Sequence, residues 1–169
     1  MILAIDPGAT GAIAWRESGG TVRIAKMPAT PTGVLINLRA LASCGYATAI
    51  LENVGFHRKG NKASASVKFA RGVGQLEMAC IASELAIERV TPQAWMKVLL
   101  PTRSKEKAVR KNQIHARVQE LCPGVNIPKY AADAVGILLA WERTHAPTPR
   151  VEHGYLPAPV RSQRGRDDV

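Results

Sequence analysis

Apolar positions come first as short unbroken runs and then as helical repeats. Ile2 to Ile5 is an apolar run closed by Asp6-Pro7-Gly8, which predicts a buried strand. Gly11 to Arg16 continues apolar and predicts a second strand. Ser18-Gly19-Gly20 marks a turn and Thr21 to Met27 a third strand, so these two form a hairpin. After the loop Pro28 to Pro31 the period changes, and Val34, Leu35, Leu38, Leu41 and Ala42 recur at helical spacing. Ala47 to Leu51 returns to the strand pattern and ends in Glu52. Asn53 to Ala63 is polar, basic and glycine-bearing, and reads as a loop. Ser64 to Leu85 predicts a long helix with Val73, Leu76 and Cys80 on one face, and Ala86 to Val90 a fifth strand. Thr91-Pro92 marks a helix start, with threonine as cap and proline at the first helical position, leading into Trp95 to Leu99. Ser104 to Leu121 reads as a basic helix opened by a serine cap and stopped by Cys122-Pro123-Gly124. Tyr130 to Arg143 is the last predicted helix.

A three-strand meander followed by alternating helices and strands predicts an α/β fold, a mixed five-stranded sheet covered by helices on both faces. The expected domain spans residues 1–143. From 144 to 169 periodicity is lost, and Pro147, Pro149, Pro157 and Pro159 fall there with Arg150, Arg161, Arg164 and Arg166, which predicts a basic, flexible tail. No run of eighteen apolar residues predicts a membrane span, and the amino terminus lacks the pattern of a signal peptide. Cys44, Cys80 and Cys122 are widely spaced and outside any zinc-binding pattern, so they read as reduced, mostly buried thiols of a cytoplasmic protein.

Charge narrows the choice of partner. The chain of 169 residues carries 23 Lys and Arg against 13 Asp and Glu, a formal net charge of +10. Such an excess favours a polyanion, and nucleic acid is the commonest soluble one. Eleven of the 23 positive charges fall in two short segments. One, from His57 to Arg71, holds Arg58, Lys59, Lys62, Lys68 and Arg71 without an acid. The other, from Arg103 to Arg117, holds six bases, Lys105, Lys107 and Lys111 among them, against Glu106 alone. Solubility alone does not need this clustering; two phosphate-contacting tracts would.

Three carboxylates stand in apolar surroundings. Asp6 ends the first apolar run, Glu52 ends the fourth, and Asp133 is the only charge between Lys129 and Glu142. An unpaired carboxylate in such a place costs several kcal/mol or shifts its pKa, about what burial of a lone charge implies. Each has a plain structural alternative: a turn start for Asp6, a solvent-facing strand end for Glu52, a surface ion pair for Asp133. Together, on two strand ends and a helix, they make an oxygen-ligand set that suits Mg²⁺ or Mn²⁺.

With these residues in view, the chain from Met1 to about Trp141 resembles the RuvC-like Holliday-junction resolvases, nearest in pattern to phage and prophage types of the RNase H-like superfamily. Met1-Ile2-Leu3-Ala4-Ile5-Asp6-Pro7-Gly8-Ala9-Thr10-Gly11 resembles their first strand and Leu51-Glu52-Asn53-Val54 their glutamate strand. Phe69-Ala70-Arg71-Gly72-Val73-Gly74 resembles the start of their junction-facing helix, and Thr91-Pro92-Gln93-Ala94-Trp95 the segment after it. Ala131-Ala132-Asp133-Ala134 resembles their terminal catalytic helix. The resemblance implies an RNase H-like fold and a homodimer that resolves four-way junctions or other branched DNA by paired nicks. It implies hydrolysis with two Mg²⁺ ions, or Mn²⁺ in their place, held by Asp6, Glu52 and Asp133, with Lys105 and Lys107 near the scissile phosphate. Phe56 and His57 would stack on opened bases. Arg58, Lys59, Lys62, Lys68, Arg71 and Lys111 would contact DNA, and Gly72 and Gly74 would let backbone approach it. One departure stands out: where the family carries a further Asp or His before the last aspartate, this chain has Lys129 and Tyr130. Two other readings remain open at this point, a related nuclease acting on RNA or flaps, and a junction-binding module with weak or no catalysis.

Overall fold

The computed structural model describes residues 1–55 and 63–145. Strands β1 (Ile2–Asp6), β2 (Ala12–Arg16), β3 (Val22–Lys26), β4 (Thr48–Glu52) and β5 (Ala86–Val90) form one sheet in the order β3-β2-β1-β4-β5. The β1-β2 and β2-β3 pairs are antiparallel, and β4 runs parallel to both β1 and β5. The helices are α1 (Pro31–Ser43), α2 (Ala63–Ala82), α3 (Pro92–Leu99), α4 (Lys107–Leu121) and α5 (Ala132–His145), the last preceded by a 3-10 turn over Lys129–Ala131. This is the mixed α/β sheet that the pattern predicts.

Side-chain alternation along the strands sorts the core into two halves. Leu3, Ile5, Ile13, Ala49 and Leu51 face α1 and α2, where they meet Val34, Leu38, Leu76 and Cys80. Ala4, Ala12, Ala14 and Ile50 face the other way, towards α3, α4 and α5. The alanines of β1 and β2 make a low floor, and α5 lies across it with all nine residues from Ala132 to Ala140 buried. An Arg16 guanidinium on β2 holds the far end of α5 by two bonds of 2.8 Å to the Glu142 carboxylate. That hydrogen bond is the main reason the Arg16 pKa is raised further above its ordinary value. Trp141 donates its indole N–H to Glu88 on β5 at 3.0 Å.

Three element ends differ from expectation. Thr91 does cap α3, accepting from the Ala94 N–H at 3.3 Å. Ser104 does not cap α4: its hydroxyl accepts from the Glu106 N–H at 3.1 Å, a turn bond two residues on, and the helix starts at Lys107 with Glu106 at the cap position. Helix α2 stops at Ala82, because Ser83 bonds back to the Ala79 carbonyl at 2.7 Å and Glu84 turns left-handed at φ 58°. The final helix begins two residues late, the 3-10 turn taking Tyr130 and Ala131. All three cysteines are free; Cys80 and Cys122 are buried and Cys44 is exposed. Among the described residues no helix is long and apolar enough to cross a membrane.

Candidate active site

Asp6 and Glu52 end neighbouring parallel strands. The register pairs Ile5 with Leu51, so the two carboxylates leave the sheet side by side, from strands about 4.8 Å apart. Alternation puts both on the α5 side, the side of Ala4 and Ile50. Open α/β sheets bind ligands at this location, the carboxyl ends of strands where the chain's progress across the sheet reverses. Gly11 closes the loop after β1. Its N–H bonds the Gly8 carbonyl at 3.0 Å. A side-chain carbon at Gly11 would lie 2.0 Å from the Asp6 carbonyl oxygen, so only glycine fits. Asp133 enters from above, in the first turn of α5, where a helix favours negative charge.

The three carboxylates line one cleft of about 650 Å³. Lys107, Arg110, Lys111 and Ile114 recur at helical spacing along α4 and line its opposite wall, with Ser66 and Phe69 of α2 and Trp95 of α3 completing the rim. Among the described residues only Glu52, Asp133 and Ser83 are polar and buried. Ser83 is accounted for by its bond to Ala79. The other two are acids, and both face the cleft. Glu52 accepts from the Trp95 indole N–H at 2.8 Å. Asp133 Oδ2 accepts from the Lys111 ammonium, while its Oδ1 is buried without a hydrogen-bond partner.

The donor set suits an oxygen-seeking divalent ion: three carboxylates, one with an orphaned buried oxygen that a cation would satisfy. Among the described residues no three His, Cys, Asp or Glu side chains form a group that could hold one ion. They share the cleft without closing on a common point, and the buried Asp133 takes a lysine as its cation. A buried carboxylate needs such a partner.

The other expected residues divide. Lys107 and Lys111 line the cleft. Lys105 does not; its carbonyl accepts from Arg110 at 3.0 Å. Lys68 and Arg71 are exposed on α2, and among the described residues nothing lies within 4 Å of a side-chain carbon built at Gly72 or Gly74. Lys129 and Tyr130 sit on the 3-10 turn outside the cleft lining, and the cation beside Asp133 comes from α4 instead. Phe56, His57, Arg58, Lys59 and Lys62 lie outside the described residues. Trp95 and Phe69 are cleft residues that the sequence reading placed only on helices. The signal for Trp95 was a lone indole, whose N–H needs a partner when buried, in the short helix after β5.

A five-stranded mixed sheet in the order β3-β2-β1-β4-β5, flanked by helices, is an RNase H-like fold. Solved structures share the fold, two RuvC structures among them. "Thermus thermophilus RuvC structure" is 17% identical with a TM-score of 0.57, the match covering 85% of this chain and 95% of that one. "T. thermophilus RuvC in complex with Holliday junction substrate" is 15% identical with a TM-score of 0.60 over the same shares. No protein-family model matches the sequence, and no curated protein matches it.

Proposed function

We propose that this chain is a metal-dependent endodeoxyribonuclease that resolves four-way junctions, cutting paired strands by phosphodiester hydrolysis. The observation that carries the reading is the cleft itself: Asp6, Glu52 and Asp133 on one side and Lys107, Arg110 and Lys111 on the other. A polyanion would be drawn in by the bases and meet the acids only at the reacting phosphate. The likeness of fold to RuvC, whose solved complex holds a Holliday junction substrate, supports the choice of DNA substrate. In this reading Asp6, Glu52 and Asp133 hold Mg²⁺ or Mn²⁺. Bound there, the ions supply an acidified water and charge compensation at the leaving 3′ oxygen. Lys107 steadies the scissile phosphate. Lys111 moves from Asp133 to the phosphate as the substrate enters. Lys68 and Arg71 contact the arms of the junction, with Arg58, Lys59 and Lys62 of the preceding segment.

Two opposed cuts need two sites, and an isologous dimer supplies them. Helix α2 is the proposed interface, since Val67, Met78 and Ile81 are exposed along it. The arginines between 146 and 169 add non-specific affinity. The Lys111–Asp133 pair favours one second reading, a junction-binding module with weak catalysis, because it neutralises a ligand of the ion. Cleavage of a synthetic four-way junction, a flap, a duplex and an RNA–DNA hybrid, with and without Mg²⁺ and Mn²⁺, tests both. Metal-dependent paired nicks in the junction support the nuclease; tight junction binding without cutting in either metal would replace it by the module.

A further inference from the structure

We infer that Trp95 is a positioning residue, a strut that fixes Glu52 relative to Asp133 and so sets the spacing of the metal-binding carboxylates. The inference rests on the proposed reading of Glu52 and Asp133 as ligands. Four observations carry it. The Trp95 indole N–H donates to Glu52 Oε1 at 2.8 Å, a buried bond spanning 43 residues of sequence. Trp95 is 2% exposed yet contributes to the cleft wall. Its ring is wedged against Gly136: a side-chain carbon there would lie 2.9 Å from Trp95 Cζ3 and 3.1 Å from Leu99 Cδ2. And Gly136 stands three residues beyond Asp133 on α5, hence on the same face one turn along.

The indole therefore touches both halves of the site. Its polar edge holds the strand-borne carboxylate, and its benzo edge seats on the helix that carries the other. Glu52 has three side-chain torsions, and an exposed glutamate at a strand end would sample many rotamers. The Trp95 N–H on Oε1, held by a ring immobilised in the core, restricts that freedom before any ion arrives. Phenylalanine fills much of the same space but has no N–H to offer. A role in packing alone would be indifferent to that loss, whereas a role in positioning would not.

The test measures metal binding rather than cleavage. Mn²⁺ and Mg²⁺ are titrated into wild type, Trp95→Phe and Gly136→Ala by calorimetry, and in parallel by tryptophan emission, with thermal melting to confirm folding. Trp15→Phe serves as the control that removes an indole outside the cleft lining. Loss of a partner that orients a metal ligand costs about 10- to 100-fold in metal affinity, and that is the expected rise in Kd for Trp95→Phe. Gly136→Ala should raise Kd in the same direction by displacing the ring. Wild type and Trp15→Phe should change emission on metal binding, and Trp95→Phe should not. A version with benzothiophene in place of the indole at position 95 keeps the shape and loses only the N–H. It should match Trp95→Phe, and it decides the matter if Trp95→Phe does not fold. Unchanged metal affinity in the folded benzothiophene version would overturn the strut while leaving the metal site intact. If wild type binds no metal and cuts no junction, the underlying reading fails with it.

Discussion

The two faces of the sheet are built from the same strands and do opposite things. On the α1–α2 side the strands present Leu3, Ile5, Ile13 and Leu51, large side chains that fill a layer of ordinary depth. On the α5 side they present Ala4, Ala12 and Ala14, and the helix comes close. Only the second face carries acids. Since strand parity decides the face, Asp6 and Glu52 reach the cleft because each is an odd number of positions from the leucines and isoleucines of the other layer. A one-residue slip in register would bury both carboxylates under α1 and α2. The face with the small residues tolerates charge because its covering helices bring Lys111 and the Trp95 N–H within hydrogen-bonding reach.

The sharpest way to break the comparison is to remove charge from one face and bulk from the other. Asp6→Asn should leave the fold and junction binding intact. It should lower the cleavage rate about a thousandfold or more, since several kcal/mol of stabilisation depend on the ion. Gel-resolved cleavage at saturating protein measures it, and substantial residual cutting would remove Asp6 from the site. Leu38→Ala on the opposite face should do the reverse, costing about 2–5 kcal/mol of stability with metal affinity unchanged in the protein that remains folded. Chemical denaturation and a metal titration give the two readings.

Gly11→Ala sits between these extremes. Its new carbon would press on the Asp6 carbonyl, so we expect a loss of about 1–3 kcal/mol, the usual range for overpacking, together with weaker metal binding. Gly19→Ala, with open space around it, should change neither. A smaller effect is expected of Lys111→Met. The lysine is half exposed, so losing its pair with Asp133 should cost about 1 kcal/mol in the metal-free protein. Added Mn²⁺ should then raise the melting temperature more in the variant than in wild type. An equal rise in both would show that lysine and metal do not compete for Asp133.

The smallest effect concerns reach along the DNA. Replacing Lys68 and Arg71 by Ala should flatten the salt dependence of junction binding by about 0.9 in log-log slope per lost phosphate contact. An unchanged slope makes them solvated surface.

Much of this architecture was legible in the chain. The five strands follow from unbroken apolar runs, and Asp6, Glu52 and Asp133 were visible as acids in apolar company. What stayed hidden was contact between distant elements. The Trp95–Glu52 bond and the Lys111–Asp133 pair join residues 43 and 22 positions apart, and no local period encodes them. Lys129 is near Asp133 in sequence, four positions before it. The helix geometry instead turns it out of the cleft and delivers Lys111 from α4. Ser104 misled for a local reason: a hydroxyl that caps a helix also makes a two-residue turn, and here the turn won.

On the proposed reading, the order of the acids along the chain bears on when the protein can cut DNA. Asp6 lies on the first strand and Glu52 on the fourth, while Asp133 arrives only with α5, the helix buried over nine successive residues. A nascent polypeptide that has left the ribosome as far as β5 can pair β1 with β4. It holds two of the acids and has no lid over them. On the proposed reading such a fragment binds phosphate poorly and cuts nothing, because the third acid and the lysines of α4 are still unmade. On that reading the chemistry is withheld from any product that stops before α5, and the docking of one apolar helix both finishes the core and completes the site.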